Sequence, residues 1–308
     1  MLATVHVHPL YASIIRVLAY YAIFRHPLTA EEIALFCPDE GIPAEELLRG
    51  LEEFVAEGRL GREGEYYFLP DSGPEVVRRR LAMEERGRRM WRIARRIASL
   101  MRHVPYVEGV LISGQLCRYL ADEESDIDYF IVTRPQRLWI VRTFFVAIRR
   151  LLLFNSRKYF CTNYYVTTEN LEIRERSRYV ANEVASIKPI HNRSMHRAFM
   201  RANRWIKEYY PNFDPDLIEY RETAPEGKGL RSFLERLIPT ALALRLDQRL
   251  MESTRKYWRR KYPDQDDYFF DISVRSRCNE SRAHPNNRSV EILQLYRDRL
   301  RDFGIDDD

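Results

Sequence analysis

Asp126 and Asp128 stand two residues apart in Ser125-Asp126-Ile127-Asp128, just before the apolar run Tyr129-Phe-Ile-Val132. On an extended strand that spacing puts both carboxylates on one face and turns Ile127 to the other. Two carboxylates side by side repel unless a cation lies between them. Mg²⁺ suits such a pair, because it is held by one or two carboxylates together with substrate phosphate oxygens. Upstream, Ser113-Gly114 follows the apolar stretch Gly109-Val-Leu-Ile112 and precedes Gln115. A small residue at a strand-to-helix turn lets backbone N–H groups approach a phosphate, and a helix N-terminus beyond it favours negative charge. The expected site therefore has Asp126 and Asp128 as metal ligands and catalytic residues. Ser113, Gly114, Gln115 and Ser125 would surround the phosphates of a nucleoside triphosphate.

The segment from Leu111 to Val132 reads as a strand, a small-residue turn, a short helix, a polar loop and a second strand. A Gly-Ser or Gly-Gly turn, about ten residues, then Asp-x-Asp between apolar residues is the pattern of the DNA polymerase β-like nucleotidyltransferases, and this segment resembles it. Leu138-Trp139 to Arg142 and Ala202-Asn203-Arg204-Trp205 add a likeness to bacterial stand-alone members. The resemblance implies transfer of a nucleoside monophosphate from a triphosphate such as ATP, with release of pyrophosphate and one or two Mg²⁺ ions as cofactor. The acceptor stays open between a small hydroxyl compound, a protein side chain and an RNA end. Two departures are visible. Serine precedes glycine here, whereas the usual order is Gly then Ser. The third carboxylate of active members, on a neighbouring strand, falls on Asn163 in Cys161-Thr-Asn163-Tyr-Tyr-Val166, with Glu169 and Glu172 past the strand's end. A catalytically weak nucleotide-binding regulatory protein and a DNA-binding regulator are the competing readings.

The elements that must position these residues follow from periodicity. Residues 1–72 read as three helices and a hairpin, an order similar to a winged helix-turn-helix. Ile14, Val17, Leu18 and Tyr21 give the first helix one apolar face, Thr29-Ala-Glu-Glu32 has the form of a capping box, and Leu47, Leu51 and Phe54 face inward from the third. Residues 73–104 form an arginine-rich connecting helix. From 105 to 180 strand and helix alternate, which predicts a small mixed sheet with helices packed on it, an α/β (α+β) core. Residues 181–308 read as a helical C-terminal part that walls the acceptor cleft.

Charge bears on partners. The chain carries a net +5, yet residues 1–72 hold five arginines against twelve acids, and residues 73–104 hold ten arginines against three. Adjacent blocks of opposite sign suggest mutual docking as readily as a basic nucleic-acid surface. The third helix, with Glu45, Glu46, Glu52, Glu53 and Glu57 against Arg49, would be repelled by phosphates, so DNA binding by this unit is not expected. The scattered cysteines Cys37, Cys117, Cys161 and Cys278 make no CxxC and fit a reducing cytoplasm. His191, His196 and His284 stand among arginines without metal-ligand spacing, and Arg275 to Pro285 reads as a polar, solvated loop, with contact to phosphate or acceptor as the alternative. Leu10 to Phe24 and Trp139 to Phe154 are broken by arginines short of the ~18 apolar residues of a spanning helix, so a soluble protein without a membrane partner is expected.

Overall fold

The computed structural model describes residues 8–215, 231, 235–236, 239–283 and 288–306. Helix α1 (Pro9–Ala22) buries Ile14, Val17, Leu18 and Tyr21, and α2 (Ala30–Phe36) and α3 (Ala44–Ala56) share its core through Ile33, Leu47, Leu51 and Phe54. The capping box is complete: Glu32 N donates to Thr29 Oγ1 at 3.3 Å, and Thr29 N donates to Glu32 Oε2 at 2.9 Å. Strands β1 (Gly61–Glu63) and β2 (Tyr66–Phe68) pair as an antiparallel hairpin, with Leu28 bridged to Tyr67. Three helices and a hairpin thus follow in the expected order. The outer face of α3 exposes Glu45, Glu46, Glu52, Glu53 and Glu57.

Helix α4 (Glu75–Met101) keeps one buried stripe, including Arg80, Met83, Gly87, Met90, Ala94 and Ala98, at three- and four-residue spacing despite its arginines. Arg80 docks the acidic unit: Nη1 and Nη2 donate to Glu32 at 2.6 and 2.8 Å, and Nε donates to Glu84 at 2.9 Å. A two-pronged guanidinium–carboxylate contact fixes geometry as well as charge. Arg88 and Arg89 pair within the helix instead, with Glu84 and Glu85.

Five strands form the central sheet in the order β6-β3-β4-β5-β7. They are β3 (Val107–Ser113), β4 (Asp128–Thr133), β5 (Cys161–Thr167), β6 (Lys188–His191) and β7 (Glu280–Arg282). β3 and β4 are antiparallel, while β4 and β5 are parallel because α5 (Leu138–Leu152) carries the chain back between them. Alternation gives each face its own core. Val110, Ile112, Tyr129, Ile131 and Tyr165 face α4 and α5. Leu111, Phe130, Val132 and Val166 face α6 (Arg178–Ser186) and α7 (Arg193–Ala202). Further on, α8 (Thr240–Lys261) anchors α5, since Asp247 Oδ1 accepts from Trp139 N and Ile140 N at 2.8 and 3.0 Å.

The segment beyond 180, expected to be helical, also supplies β6 and β7, which close both edges of the sheet. Strands of four and three residues hold too little alternation to be read as period two. After α9 (Asp267–Ile272), α10 (Ser289–Asp302) returns to the first unit and places Ile292, Tyr296 and Leu300 in the core of α1 and α3. Other expectations change as well. His191 and His196 are buried rather than set in a polar surface, and the His196 ring bonds the Ile187 carbonyl at 2.9 Å. Burial lowers His196 to about 4. His284 and Pro285 lie outside the described residues. Arg275 is 3 % exposed rather than on a solvated loop, and it donates to Glu280 at 2.8 Å, to the Asp271 carbonyl at 2.6 Å and to Glu175. Among the described residues, no helix is long and apolar enough to cross a membrane.

Candidate functional site

The last residue of β3, Ser113, lies opposite the first residue of β4, Asp128. Gly114 follows with φ 66° and ψ −156°, a backbone region populated essentially by glycine. A Cβ on Gly114 would sit 2.7 Å from Asp128 Oδ2. The two halves of the motif, separated by a loop in sequence, therefore touch. Beyond Gly114 the short helix expected is a four-residue 3₁₀ turn, Gln115–Arg118. Four residues align few peptide dipoles, so this turn has no helix macrodipole to offer an anion.

β4 begins at Asp128, two residues later than the motif suggested, but the extended conformation reaches further back. Ile127 N donates to Lys158 O at 2.9 Å and Ile127 O accepts from Cys161 N at 3.1 Å. Ile127 is fully buried while Asp126 and Asp128 are half-buried, the alternation that strand geometry demands. Ser125 ties the loop together: its Oγ donates to Asp122 Oδ1 at 2.6 Å, accepts from Asp122 N at 2.9 Å and lies 3.0 Å from Gln115 Oε1. Gly87 of α4 closes the loop from the other side, since a Cβ there would lie 1.7 Å from the Tyr119 carbonyl oxygen.

Burial pushes the Asp128 carboxyl up to about 7; a hydrogen bond from the Cys161 thiol lowers it, and the charges of Asp126 and Glu183 raise it further. Cys161 lies opposite Asp128 in the parallel β4–β5 pair and is kept protonated by burial and by the Asp128 charge. Asn163 is the extra residue where that register shifts. Its Nδ2 donates to Cys161 Sγ at 2.8 Å, so Asn163 reaches Asp128 through the thiol. Glu169 and Glu172 are excluded as third ligands. Thr167 pairs with Thr133 at the far end of the strands, about 17 Å from Asp128 at ~3.3 Å per residue. Both are exposed, and Glu172 pairs with Arg176 at 3.1 Å.

The acid that sequence reasoning missed is Glu183 on α6. Burial raises its carboxyl, the charges of Arg118 and Arg282 lower it, and Asp128 lies within reach of its field. Arg118 ties α6 to the 3₁₀ turn: Nε and Nη2 donate to Ser186 Oγ at 3.0 and 2.8 Å, and Nη2 also donates to Asn182 Oδ1. Asn182 Nδ2 in turn donates to the Tyr21 hydroxyl of α1 at 2.7 Å. These partners lie dozens of residues apart, beyond any local sequence signal. Chemically, the arrangement offers two adjacent carboxylates, one costly to ionise beside the other, next to a glycine turn. That donor set fits Mg²⁺ shared with substrate oxygens. Comparison of the chain with protein-family models, with curated proteins and with solved structures returned no match.

Proposed function

We propose that the chain is a nucleotidyltransferase that moves a nucleoside monophosphate from a nucleoside triphosphate to an acceptor. The contact of Gly114 with the Asp128 carboxylate supports this reading, because it joins the glycine turn to the acidic pair. Asp126 and Asp128 would hold Mg²⁺, which supplies charge neutralisation at the transferred α-phosphoryl group. Ser113 and Gly114 would bind the β- and γ-phosphates through backbone N–H groups, while Gln115 and Ser125 keep the loop closed over them. Asn163 favours a slow enzyme over a fast one. An amide at the place of the third carboxylate carries no charge and cannot accept a proton at neutral pH. The test is incubation with each α-labelled nucleotide, with and without Mg²⁺ and cell extract. Label should pass to a product only with Mg²⁺, and not in Asp126→Ala/Asp128→Ala. Transfer that survives in that variant would refute the assignment.

A further inference from the structure

The C-terminal end of α5 and the turn after it leave large apolar side chains in water. Leu151, Leu152 and Phe154 are 76 %, 69 % and 93 % exposed. This end is built and not frayed: Leu153 N and Asn155 N both donate to Arg149 O, at 3.2 and 2.9 Å, and Ser156 N donates to Leu153 O at 2.8 Å. Phe154 and Asn155 both take positive φ, which turns the chain and leaves the Phe154 ring outward. The segment itself carries charge of one sign, although Arg157 lies within the field of Asp128 and Lys158 Nζ donates to the Glu123 carbonyl at 3.4 Å. From Tyr129 to Thr168 the sequence contains seven arginines and lysines and no aspartate or glutamate. Arg150, Arg157 and Lys158 are exposed beside the apolar side chains, and neither Arg150 nor Arg157 has an ion-pair partner among the described residues.

We propose that this helix end is a docking surface for an anionic lipid bilayer, with Leu151, Leu152 and Phe154 entering the headgroup layer and Arg150, Arg157 and Lys158 meeting its negative charge. Protruding apolar side chains flanked by cations are the composition of an interfacial membrane contact. A second copy of the chain is a poorer occupant, since it would bring a patch of the same sign against this one. Nucleic acid fits the arginines and the Phe154 ring, but it leaves Leu151 and Leu152 without an apolar partner. The expectation of no membrane partner rested on the lack of a spanning stretch, and a helix end lying on a surface needs none. The proposal stands apart from the transferase reading, although Lys158 of the same turn accepts the Ile127 N–H between the two aspartates and so places the patch at the site's rim.

The experiment is co-sedimentation of the full chain with vesicles of phosphatidylcholine alone and with about one third phosphatidylserine, at low and high salt. Binding is expected to the anionic vesicles only, weakening with salt, with each basic residue contributing about fivefold. Leu151→Ser/Leu152→Ser/Phe154→Ser and, separately, Arg150→Gln/Lys158→Gln should each reduce binding at least tenfold at unchanged thermal stability. No binding at low salt, equal binding to neutral vesicles, or full binding by the serine variant would overturn the proposal. So would concentration-dependent dimerisation that the serine variant loses, which would assign the patch to a second copy.

Discussion

Replacing Gly114 by alanine is expected to weaken Mg²⁺–triphosphate binding about a hundredfold, roughly 2.8 kcal/mol, while costing the fold only about 1–3 kcal/mol. The fold cost comes from the backbone. φ 66° with ψ −156° is strained for any residue with a Cβ, whatever space surrounds it. The larger effect falls on the site. The new methyl would lie 2.7 Å from Asp128 Oδ2, so the carboxylate must swing away. It would also stand where a phosphate has to approach the turn. Urea unfolding and titration calorimetry separate the two effects. A destabilised variant with unchanged triphosphate affinity would show that the turn is no phosphate cradle.

Asn163→Asp is expected to raise transfer by about 10²–10⁴, the typical contribution of one general base, with little change in triphosphate affinity. Asn163 stands on the strand beside β4 and contacts the thiol that hydrogen-bonds Asp128. An aspartate there loses the bond to Cys161 Sγ but adds a proton acceptor of similar shape. Steady-state pyrophosphate release measures the change. Fast transfer by the unmodified chain that falls in Asn163→Asp would show that the amide itself is the working group.

What was legible in the sequence was local. Asp126, Ile127 and Asp128 reveal their alternation because strand geometry acts over neighbouring residues, and Thr29 and Glu32 define a capping box within four positions. What was not legible depends on distant partners. Arg118 lies within the motif segment, yet nothing near it announces Asn182 and Ser186, or the link onward to Tyr21. Glu183 looks like any helical glutamate until α6 is packed against the sheet. The short edge strands β6 and β7 are formed by pairing rather than by propensity, and α10 gives no sign in sequence that it completes the core of α1. Glu169 and Glu172 are already placed past the end of the strand by its pattern. Nearness in sequence to Asn163 becomes the far end of the sheet once β5 runs parallel to β4.

The most direct measurement is calorimetric titration of a nucleoside triphosphate into the full chain, with and without Mg²⁺, compared with Asp126→Ala/Asp128→Ala. Circular dichroism of both proteins checks that the fold survives. The account predicts binding that requires the metal in the native chain and is lost in a folded double variant. Equal triphosphate affinity in the two proteins would contradict it.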